Sequence, residues 1–121
     1  WLNGLAMHQA VARMFGDRFS TLQSSATAAA KAAGAGAVTV PRRFVLAGHS
    51  AGGNLATSAA GYSTTISSGG SPVVTQLRGV VMLDGVDSGG AIGTGLDRLS
   101  GTNYRTVWTS AIIVIGRTSR S

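Results

Sequence analysis

The sequence predicts an α/β fold built of parallel strands with flanking helices. Three observations carry that reading. Two short apolar runs, Phe44-Val45-Leu46-Ala47 and Leu77-Arg78-Gly79-Val80-Val81-Met82-Leu83, have the length and composition of strands buried in a parallel sheet. Upstream of the first run, apolar residues recur at helical spacing. The interval between the runs is long enough for a helix, a surface loop and one right-handed crossover, which two parallel strands require.

The elements follow in chain order, with residues 1–34 as a helical region. Met7, Ala10, Val11, Met14 and Phe15 recur at helical spacing up to Gly16 and predict an amphipathic helix over residues 4–15, its methionines in the core. His8 on that helix is expected at a partly exposed face. A second helix is expected over residues 19–33, with Phe19, Leu22, Ala26, Ala29 and Ala33 on related faces and Gly34 as its stop. Residues 42–61 read as strand, turn and helix, in which Gly53, Ala56 and Ala60 allow close approach to the sheet and Gly61 ends the helix. Tyr62 to Gln76, with Gly69-Gly70-Ser71-Pro72, reads as a surface loop, and residues 77–87 as the next strand with its end. The remainder, 88–121, reads as loop and atypical basic tail. Its glycine-rich stretch Ser88 to Gly95 is expected to be a flexible loop, since it lacks a P-loop lysine, and Thr106-Val107-Trp108 and Ala111 to Ile115 are candidates for a following strand.

The chemistry is concentrated at Gly48-His49-Ser50-Ala51-Gly52, a G-x-S-x-G frame at the end of the first strand run. By composition roughly 0.3 such matches arise by chance, so its weight comes from the strand before it and the helix after it. A serine hydroxyl becomes a useful nucleophile when it is exposed, oriented and paired with a base, and a sharp strand-to-helix turn supplies the first two. Crowding at such a turn asks for small residues at Gly48 and Gly52.

At these residues the chain resembles the α/β-hydrolase superfamily, and the run from Phe44 to Ala56 resembles its lipase and esterase branches. The resemblance implies hydrolysis of a carboxylic ester or lipid through an acyl-enzyme, without metal or organic cofactor. It implies Ser50 as nucleophile and the Ala51 N–H as one oxyanion-hole donor, with His49 as a packing residue of the elbow. Leu83-Asp84-Gly85 resembles the strand end that carries the acid in some lipases and chlorophyllase-like enzymes, with glycine where those have proline. Asp84 is therefore the expected triad acid and Asp87 its substitute. The family's order places the histidine after the acid, yet the sequence has only His8 and His49. The base is absent, as are the early strands that would supply the second oxyanion donor. Together with a length of 121 residues, against about 200 or more for such a domain, this leads us to expect a partial fold lacking its early strands and its histidine-bearing C-terminal part.

Composition limits the remaining classes. The formal charge is +6, with no glutamate, but the arginines are scattered and no aromatic interleaving accompanies them, which argues against nucleic acid as a partner. The longest apolar run, Ala111 to Ile115, is far short of a membrane span. No charged segment followed by an apolar one appears at the start, as a signal peptide would need. Absence of cysteine removes disulfides and thiolate metal sites and fits reducing and oxidising compartments alike. Abundant alanine, glycine and arginine beside a single lysine suggest a GC-rich bacterial genome.

Overall fold

The computed structural model describes residues 4–102 with their side chains, and of residues 104–109 and 112–117 the strand course and pairing. Helix α1 (Leu5–Arg13) and helix α2 (Phe19–Ala32) come first, then strand β1 (Phe44–His49) and helix α3 (Ala51–Tyr62). A two-residue hairpin, β2 (Ser67–Ser68) and β3 (Ser71–Pro72), and a 3-10 turn over Val73–Thr75 lead to strand β4 (Leu77–Leu83). Helix α4 (Ala91–Ser100) and strands β5 (Tyr104–Thr109) and β6 (Ile112–Arg117) complete the described chain. The main sheet has the order β1-β4-β6-β5. β1 and β4 are parallel, with Ala47 opposite Val81 and His49 opposite Leu83, so the expected parallel pair flanked by helices is present.

The core lies on one face of that pair. Phe44, Leu77 and Val80 pack there with Ala56 and Ala60 of α3 and Leu99 of α4. Leu77 and Val80 have no exposed surface, and each such burial contributes about 1.5–3 kcal/mol. Ala56 and Ala60 do bring α3 close to the sheet. At Gly53 a Cβ would lie 3.2 Å from Met82 Cγ. α3 is covered on three sides, by the sheet, α1 and α4, which explains why eight of its residues are buried although its sequence is not strongly amphipathic.

Several expectations from the sequence are corrected. The strand run at β1 is buried on one side only: its residues alternate, and Val45 is 55% exposed, because α3 covers just the face of Phe44 and Leu46. In α1 the inward stripe is His8, Ala12 and Phe15, not Met7 and Met14, which are 36% and 37% exposed. Both stripes have helical period and differ by one residue. Phe15, common to both, packs as expected with its ring stacked on Phe44 at 3.7 Å, while the selected stripe adds a small Ala12 for close approach and a hydrogen-bonding His8. α2 buries none of its residues and is tethered instead by Gln23, whose side-chain amide donates to the Val38 carbonyl and accepts from the Val40 N–H. Gly34 follows it with a φ of 68°, the left-handed residue expected at its stop.

Gly61 does not end α3; it lies within the helix, where a Cβ would come 2.7 Å from Gly95 Cα. The surface loop after Tyr62 is more ordered than its composition suggests, for the Val73 N–H donates to the Ile66 carbonyl and its side chain is fully buried. Ser88 to Gly95 is not simply a flexible loop. Gly90, with φ 71°, starts α4, and Asp87 Oδ1 accepts the Ile92 N–H at 3.0 Å. Gly95 serves helix contact, since a Cβ there would meet the Thr57 carbonyl oxygen at 2.6 Å. Residues 104–109 and 112–117 form two antiparallel strands, not one parallel successor, and Arg117 belongs to β6. The rest of the expected tail, 118–121, lies outside the described residues.

Candidate functional site

Ser50 stands between β1 and α3 with φ 53° and ψ −119°. A non-glycine residue with this backbone stores about 1–3 kcal/mol of strain and persists only where its surroundings hold it. The hold is visible. The Ser50 N–H donates to the Leu83 carbonyl at 2.9 Å, tying the turn to the end of β4, and the Ser50 carbonyl accepts the Gly53 N–H at 3.0 Å as the first turn of α3. Gly48 is required sterically: a Cβ there would sit 2.0 Å from the Gly52 carbonyl oxygen. Gly52 is not, because a Cβ on it meets nothing within 4 Å, so the expectation of crowding at both glycines holds for only one.

Ala51 is the first residue of α3, and its N–H is one of those that helix geometry leaves without an intrahelical acceptor. The helix dipole adds partial positive charge at the same end. Asp84 follows the last residue of β4 directly, with an exposed side chain and φ 49°, so Ser50 and Asp84 leave adjacent parallel strands at the same sheet end. Asp87 lies four residues short of α4 and spends one carboxylate oxygen on capping it. That structural duty favours Asp84 over Asp87 for any role beside Ser50. Asn54, fully buried on α3, accepts the Ser88 N–H at 3.4 Å and holds the intervening loop against the helix.

Neither histidine is placed as the base. His49 is exposed on the open side of β1, opposite Leu83, and is not the packing residue expected of it. His8 is not partly exposed as expected but fully buried, its Nδ1 2.7 Å from Ser58 Oγ on α3. Ser58 is eight residues beyond Ser50, about 12 Å along the helix axis. Sequence reasoning missed this pair. The spacing of His8, Ala12 and Phe15 was available as a signal on α1, whereas nothing local to Ser58 singles it out.

Among the described residues no group of acidic, histidine or cysteine side chains could hold a metal ion. No described helix is long and apolar enough to cross a membrane. A surface cavity of about 490 Å³ lies between α1 and α2 around Met14 and Leu22, away from Ser50. Comparison with protein-family models, with curated proteins and with solved structures found no match.

Proposed function

We propose that this chain carries the nucleophile-bearing part of a serine hydrolase of the α/β-hydrolase type, acting on carboxylic esters or lipids in its complete form. The observation that carries the reading is the strained Ser50 backbone between a parallel strand and a helix, with Gly48 packed so closely on Gly52 that no side chain fits. Strain of this kind at a serine is retained where it presents the hydroxyl. Ser50 Oγ attacks the ester carbonyl carbon while a histidine takes its proton; the carbonyl oxygen becomes an oxyanion held by the Ala51 N–H and a second donor. Collapse expels the alcohol, which takes that proton, and water then releases the acid from the acyl-enzyme. Asp84 orients the histidine. The base is supplied in the complete protein by a histidine other than these two, since His8 is buried against Ser58 and His49 is exposed on the open side of β1.

The test supplies the base chemically. Exogenous imidazole should accelerate phosphonylation of the wild-type chain by a fluorophosphonate at Ser50, and Ser50→Ala should abolish that acceleration. Equal labelling of Ser50→Ala would refute the assignment. A second reading, a noncatalytic hydrolase-like binding module, is favoured by the burial of His8 against Ser58; it requires that imidazole leave Ser50 unlabelled while the chain remains folded.

A further inference from the structure

A second cavity, about 380 Å³, lies between the start of α1, the middle of α3 and α4. Its lining brings together the hydroxyl-bearing residues Ser58, Tyr62, Ser88 and Thr94 with Arg98, while Leu5 and Ala91 add apolar wall. We infer that this cavity binds a small organic carboxylate, its charged end on Arg98 and Thr94 and its apolar part toward Leu5.

Charge sets the sign of the ligand. Arg98 is the one charged residue among those lining the cavity; of the neighbouring carboxylates, Asp87 accepts the Ile92 N–H through one oxygen and Asp97 is exposed outside the lining. Arg98 lies with its Cζ 4.2 Å from the Tyr62 ring centroid, a cation–π contact that anchors the guanidinium at the cavity, and the guanidinium fork is the group that matches a carboxylate. Thr94 is one helical turn before Arg98 and therefore on the same face of α4. Ser58 forms the floor. It is 2% exposed, and its Oγ lies 2.7 Å from Nδ1 of buried His8, which holds the side chain in place. The same burial, within a helix whose N–H groups are internally bonded, leaves Ser58 no oxyanion donors, which makes this a binding site and not a second nucleophile. The volume is that of about a dozen water molecules, enough for a short acyl or aryl acid.

This inference does not depend on Ser50 chemistry and is tested on the whole chain with Ser50→Ala. Titration with hexanoate, followed by amide NMR, should move the resonances of Ser58, Ser88 and Thr94 together and saturate in the millimolar range. Hexanamide, equal in shape and uncharged, should bind at least tenfold more weakly. Arg98→Gln should weaken hexanoate about tenfold with an unchanged fold by circular dichroism, and Thr94→Ala, an exposed change that spares the Tyr62 stack, should weaken it severalfold. Equal binding of hexanamide, shifts confined to other parts of the chain, or unchanged affinity in both variants would each overturn the assignment.

Discussion

Replacing Gly48 by alanine puts the elbow geometry to its most direct test, because the neighbouring glycine of the same motif provides a control of opposite sign. A Cβ on Gly48 would lie 2.0 Å from the Gly52 carbonyl oxygen, 2.2 Å from its carbon and 2.6 Å from the Gly53 nitrogen. All three are backbone atoms of the first turn of α3, so no side-chain rotation relieves the clash and the helix start must move. Overpacking of this kind costs about 3 kcal/mol, the upper part of the usual range, because the atoms displaced also carry the Ser50 hydrogen bonds. That is roughly a 150-fold loss in the folding equilibrium. With a urea dependence of about 1.5 kcal/mol/M, the unfolding midpoint should fall by about 2 M. Gly52→Ala meets no atom within 4 Å and sits in a helix, where alanine is favoured over glycine, so its midpoint should rise by the equivalent of about 0.5–1 kcal/mol. Equilibrium urea titration by circular dichroism measures both. If Gly48→Ala proves as stable as Gly52→Ala, the reasoning about this turn is refuted.

Ser50→Gly relieves the positive φ and should raise stability by about 1 kcal/mol in the same titration while removing the imidazole-dependent labelling; a loss of stability would contradict the strain. Gly95→Ala drives a methyl onto the Thr57 carbonyl oxygen at 2.6 Å and should cost about 2–3 kcal/mol by parting α3 from α4, whereas Gly93→Ala, with open space around it, should not destabilise; thermal melts compare the two. The exposed Asp17 carboxylate accepts from Arg13 Nε at 3.1 Å, and this hydrogen bond, with the neighbouring positive charge, holds its pKa below the ordinary aspartate value. A depressed folded pKa means that the pair's small stabilisation is present above the unfolded aspartate pKa and is lost as pH falls through the folded one. Carboxyl NMR titration should show a low midpoint for Asp17 that returns to the ordinary range in Arg13→Ala and rises with added salt.

The legible part of the fold was the part written in short stretches of chain. Strand, turn and helix around Ser50 could be read from Phe44 to Ala60 because an apolar run, a turn glycine and small helix residues each act over a few positions. The placement of Asp84 at the end of the adjacent parallel strand was equally accessible, since a single crossover of sufficient length permits few topologies. Harder positions were those where one local signal has two tertiary uses. Glycines at 89–95 looked like a flexible loop, yet Gly90 starts a helix and Gly95 lets that helix touch α3. In α1, periodicity could announce a helix but could not choose between two stripes one residue apart. Ser58, a small polar residue in mid-helix, carried no mark of the histidine fifty residues earlier that it meets.

By itself the sequence determined an α/β chain, a strained serine between strand and helix, and a carboxylate at the neighbouring strand end. These depend on backbone stereochemistry and on the period of apolar residues, which are properties of adjacent positions. Only the tertiary structure decided that Gly48 and not Gly52 is the crowded glycine, that Asp87 caps α4, that one face of β1 is left open, and that His8 is buried on Ser58 instead of serving Ser50. Each of those depends on atoms brought together by packing, and packing selects among faces that local chemistry leaves equivalent.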